Sequence, residues 1–134
     1  MNQQAKTLLL VVDDYTLLRL RSMILQMHGF KVSTASSSDE AYECCAREIY
    51  DLVVIDLSEG IDASTDLCNS IKEKHPQQTV AVLAPAYVFV GSDCPDEVIA
   101  KNEGPAKLVN EIRELLQRAS DETTDPEQSS EGLQ

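Results

Sequence analysis

"LLLVVDDY", residues 8–15, decides how the rest of the chain is read. Its first five residues form an unbroken apolar run, too short for an ordinary helix and without polar alternation. Such a run predicts a strand buried on both faces. The run ends directly in Asp13 and Asp14. Adjacent carboxylates repel each other, and the end of a buried strand is a costly place to hold them without a counter-charge.

Outward from this strand, short apolar runs alternate with stretches of helical period. Residues 16–28 predict a helix with Leu17, Leu20, Ile24 and Met27 on one face and Gly29 as its stop. Residues 30–35 read as a short, half-polar strand. Ser37 and Glu40 then offer a capping box for a helix lined by Ala41, Cys45 and Ile49. "LVVIDL", residues 52–57, is a second buried strand, and residues 63–74 form a helix with Leu67 and Ile71 inward. Strands follow at residues 79–83 and 97–100. A closing helix starts near Pro105, with Leu108, Ile112 and Leu115 inward. Buried strands separated by amphipathic helices argue for an α/β fold with a parallel sheet covered on both faces. The expected architecture is a flavodoxin-like, doubly wound, five-stranded sheet of order 2-1-3-4-5.

The 134 residues suit one domain, assigned to residues 1–119. Residues 120–134 contain five of the 23 acidic residues, none of the 11 basic ones and a single Leu. That composition cannot bury a core and reads as a disordered acidic tail or linker. The net charge of −12 falls to −7 for residues 1–119 without it. An acidic surface disfavours direct binding to nucleic acid or to an anionic membrane. No apolar run reaches membrane-spanning length, and the N-terminus lacks the long apolar stretch of a signal peptide. The expected location is the cytoplasm. Cys44, Cys45, Cys68 and Cys94 show no C-x-x-C pairing and read as reduced thiols. His28 and His75 stand at helix ends and read as capping residues rather than as phosphohistidine sites.

In a doubly wound sheet the ligand site lies beyond the carboxyl ends of the strands, where the winding reverses. With order 2-1-3-4-5 that point falls between strands 1 and 3. Asp13 and Asp14 follow strand 1, and Asp56 is the penultimate residue of strand 3. Taken singly, Asp14 is equally a helix cap and Asp56 a loop acid. Together, three carboxylates at one crevice call for a cation, and oxygen ligands without His or Cys favour Mg²⁺, Mn²⁺ or Ca²⁺. Lys101 leaves the fifth strand at the same edge, where it can pair with a carboxylate or with phosphate oxygens.

With "VVDDY", "DLVVIDL" and Lys101 separated by 43 and then 45 residues, the chain resembles the receiver (CheY-like) domain of two-component response regulators. CheY is itself a standard example of this strand order. The resemblance implies that Asp56 is the phosphoacceptor and that Lys101 contacts the phosphoryl oxygens. It implies a metal site made by Asp13, Asp14, Asp56 and the backbone carbonyl of Ser58, holding Mg²⁺ or Mn²⁺. It also implies a sensor histidine kinase or phosphotransfer protein as donor, a downstream protein partner, and no enzymatic turnover beyond gain and loss of its own phosphoryl group.

Three positions depart from the family pattern. Ala84 stands where receivers carry Ser or Thr, Ile99 where they carry the aromatic switch residue, and Asn102 where Pro follows the lysine. Ala84 to Lys101 spans 17 residues, roughly five fewer than the family norm and more than one helical turn short. The family's fourth helix is therefore expected to be shortened or missing, with residues 87–90 either covering the core or forming an apolar contact surface. These departures predict atypical output coupling. The alternative is a pseudo-receiver, a protein-interaction module that never carries phosphate. A haloacid-dehalogenase-like phosphatase would need D-x-D at the first strand, where this chain has D-D.

Overall fold

The computed structural model describes residues 5–85, 94–101 and 103–124. Five strands are present: β1 Thr7–Val12, β2 Lys31–Ala35, β3 Leu52–Asp56, β4 Val80–Ala84 and β5 Glu97–Ala100. All pair in parallel, in the order β2-β1-β3-β4-β5. Four helices accompany them among the described residues: α1 Tyr15–Met27, α2 Ser38–Arg47, α3 Ile61–Lys74 and α4 Pro105–Thr124. The sheet is the expected flavodoxin-like one. The segment between β4 and β5, where the fourth helix is expected to be shortened or missing, falls largely on residues 86–93. Residues 86–93, with the expected cover or contact surface at 87–90, lie outside the described residues, as does Asn102.

The period of two along the central strands divides the core between the sheet's two faces. Leu8, Leu10 and Val12 of β1 face α1 and α4, joining Leu18, Leu25, Leu108, Ile112 and Leu116. Leu9 and Val11 face α2 and α3, joining Ala41, Cys45, Leu67, Cys68 and Ile71. Among the described residues no helix is long and apolar enough to cross a membrane.

Four expectations are corrected. Leu18 and Leu25 are the buried residues of α1, Leu17 and Ile24 are only half-buried, and Leu20 and Met27 are 51% and 78% exposed. Apolar residues stand almost all round this helix, so periodicity could not single out its inner face. On α2, Ala41 and Cys45 are buried but Ile49 is exposed. The helix ends at Arg47 and Glu48 is extended, so Tyr50 turns inward instead. Helix α4 continues to Thr124, five residues into the expected tail. That stretch holds neither Gly nor Pro, so the costly nucleation already met by the preceding turns does not have to be repeated for it.

The fourth correction concerns the thiols. Cys68, on the inner face of α3, is joined in a disulfide to Cys94 just before β5, with their Cα atoms 6.3 Å apart. The partners are 26 residues apart on different elements, so no local spacing announces the bridge. Cys44 and Cys45 are free, and burial pushes the Cys45 thiol up to about 11, with Cys44 beside it adding to the shift.

Candidate phosphoacceptor site

The site forms because parallel register aligns the strand ends. Val12 lies opposite Asp56 across β1 and β3, and Ala84 opposite Ala100 across β4 and β5. Asp13, Asp56 and Lys101 therefore leave the sheet at one edge. The Lys101 N–H donates to the Ala84 carbonyl at 3.0 Å, extending the ladder by one residue and fixing the start of the lysine side chain.

Asp56 is buried, with 7% of its side chain exposed, and each of its oxygens meets a cation. Lys101 Nζ donates to Oδ1 at 3.0 Å, and Arg21 Nη1 donates to Oδ2 at 2.7 Å. Lys101 and Asp56 meet as expected. Arg21 was not anticipated. Little in the sequence signals it: Leu17, Arg21 and Ile24 share a helical face, but apolar residues on the other faces of α1 leave its inward side undefined.

Asp14 is the N-cap of α1, its Oδ1 accepting from the Leu17 N–H at 3.1 Å. Asp13 accepts from Ser58 three times, from the backbone N–H at 2.9 and 3.1 Å and from the hydroxyl at 2.9 Å. The turn carrying Ser58 is held by the Gly60 N–H on the Leu57 carbonyl and by the Leu57 N–H on the buried Ser64 hydroxyl. At Gly60 φ is 114°, a value that suits glycine alone.

These contacts bear on the expected metal site. Both Asp13 oxygens are engaged by Ser58, Asp14 caps a helix, and both Asp56 oxygens carry a cation. Among the described residues, no three acidic, histidine or cysteine side chains are grouped so as to hold a metal ion. Ser58 enters through its N–H and hydroxyl, as a donor to Asp13. The side chains as placed do not fit a divalent ion. Ala84 is buried at the end of β4 and has no hydroxyl to offer, and Ile99 is fixed in the core beside Leu83.

The model of the family described as "PDE8A-like, N-terminal domain" matches residues 2–101. The chain belongs to this family. It is a CheY-like receiver domain in fold and motifs, and its relatives agree. The transcriptional regulatory protein ResD of Bacillus subtilis is 30% identical over 125 residues, covering 90% of this chain and 52% of ResD. SrrA of Staphylococcus aureus is 27% identical over 127 residues, covering 88% of this chain and 51% of SrrA. The receiver domain thus spans about half the length of these curated relatives. Among solved structures, a CheY-like receiver domain protein from Methanospirillum hungatei superposes with a TM-score of 0.76 at 21% identity, covering 89% of this chain and 99% of that one. The response regulator TrrA of Thermotoga maritima, solved in complex with Mg²⁺-BeF, gives 0.70 at 25% identity, covering 82% of this chain and 98% of TrrA.

Proposed function

We propose that this receiver domain accepts a phosphoryl group on Asp56 from a sensor histidine kinase or phosphotransfer protein. The observation that carries the reading is the Asp56 carboxylate, buried at the end of the central strand and held between Lys101 and Arg21. One negative charge between two positive ones leaves a local surplus suited to an anion such as a phosphoryl group. In the transfer, an Asp56 oxygen attacks phosphorus, the P–N bond to the donor imidazole breaks, and the imidazole leaves with the bonding pair. Lys101 and Arg21 stabilise charge on the phosphoryl oxygens during that step. The domain turns over no other substrate, works in the cytoplasm, and passes its state to a protein partner. TrrA brings Mg²⁺ into consideration, but the acids here have other partners, so no step is routed through a metal.

Output coupling in this reading is atypical. A switch needs two states distinguished by differential contacts. Ala84 cannot follow the phosphoryl group with a hydroxyl, and Ile99 is locked in the core.

Intact mass after incubation with acetyl phosphate tests the proposal. A gain of one phosphoryl group in the native chain, absent in D56A, is the expected result. No gain in a folded protein would sink it and leave the pseudo-receiver, a reading that the pairing of both Asp56 oxygens also favours.

A further inference from the structure

Arg21 belongs to none of the motifs that carry the receiver resemblance, yet it makes the shortest contact to the acceptor among the described residues, 2.7 Å to Oδ2. We infer that Arg21 is a built-in cation at Asp56, so that the Arg21–Asp56 pair and a divalent ion on Asp56 exclude one another. The inference deepens the proposal above and takes Asp56 as the acceptor.

Three independent features support it. Mg²⁺ needs carboxylate oxygens at about 2.0–2.1 Å in a near-octahedral shell, and a guanidinium nitrogen already bonded to Oδ2 puts like charge beside any ion there. The guanidinium is also held from behind. Its helix is anchored by the Asp14 cap and by Leu18 and Leu25 in the core, and the Arg21 side chain is only 14% exposed. Asp13, finally, is turned to Ser58 and bonded to it through both oxygens. A divalent ion has to displace Arg21 and release Asp13, each at a cost to its apparent affinity.

Mn²⁺ binding, read as loss of the free-ion EPR signal, provides the test on the full chain. R21M and R21Q remove the competing charge while leaving Lys101 on Asp56. Methionine also suits the apolar groove that Arg21 lines with Leu17, Leu20 and Ile24. R19M is the control, since it changes net charge equally at a residue whose guanidinium lies over the Tyr15 ring. R21K, which keeps the charge on a shorter stem, serves if the neutral variants fail to fold by circular dichroism.

The expected result is Mn²⁺ affinity at least about tenfold higher in R21M and R21Q than in the native chain. A smaller gain is expected in R21K and little change in R19M. Equal affinity in native and Arg21 variants overturns the inference, as does an equal gain in R19M or no binding by any variant. Phosphoryl uptake, measured by mass on the same samples, separates the two ideas. Uptake with unchanged Mn²⁺ affinity refutes only the role of Arg21. A gain in affinity without uptake in any variant refutes only the acceptor reading.

Discussion

Replacing Asp56 with Asn in metal-free buffer gives a stability change whose sign depends on the arrangement of this site. If Asp13, Asp14 and Asp56 crowded one crevice, removing a charge would relieve repulsion and stabilise the fold. In the structure the neighbours of Asp56 are Arg21 and Lys101, so the same substitution leaves two cations without their counter-charge. At charge separations near 4 Å and an effective dielectric constant of about 20, each pairing is worth about 4 kcal/mol before desolvation. Desolvation offsets much of this. A buried charged hydrogen bond contributes about 1.5–3 kcal/mol net, and Lys101, 31% exposed, can turn partly to water. We therefore expect D56N to lose about 2–3 kcal/mol, Arg21 supplying the larger share. Urea denaturation with EDTA present measures it. The loss should persist at high salt, because buried pairs are screened weakly. A double-mutant cycle with R21M should return a coupling of about 1–3 kcal/mol. An unchanged or stabilised D56N would refute the two-cation arrangement.

Two further perturbations probe the frame around the site. D14A removes the cap on the Leu17 N–H and should destabilise the metal-free protein by about 1 kcal/mol in urea, whereas relief of acid crowding would give the opposite sign. Reducing the Cys68–Cys94 bridge, which spans 26 residues, should cost about 3.5 kcal/mol by loop-closure entropy. Thiol titration of the unfolded chain should rise from two to four on reduction, and a C68A/C94A variant should no longer respond to dithiothreitol.

The fold was legible because its strands are local, emphatic signals. The runs at β1, β3 and β4 are apolar enough to be buried on both faces wherever they lie, and the helices between them leave a parallel sheet as the natural solution. Asp56 and Lys101 could be placed at one edge for the same reason: strand ends in a parallel sheet share a side. The inner faces of α1 and α2 were less legible. On α1 the apolar residues exceed what one face can bury, and on α2 the helix stops before its last expected contact.

By itself, then, the sequence determined a parallel sheet from its hydrophobic runs and chain direction, and its resemblance to receiver domains supplied the strand order that brings Asp56 and Lys101 to one edge. Only the tertiary structure decided what each acid does there. Asp13 could face a metal or Ser58, Asp14 a metal or its own helix, and Asp56 one cation or two. These choices depend on side chains 45 or 35 residues away or, for Asp14, on the first turn of α1. The same holds for Cys68 and Cys94, which become neighbours only when α3 packs against the chain entering β5. A one-dimensional pattern records which residues are apolar and how they repeat. It does not record which charged side chain, arriving from another element, reaches a buried carboxylate.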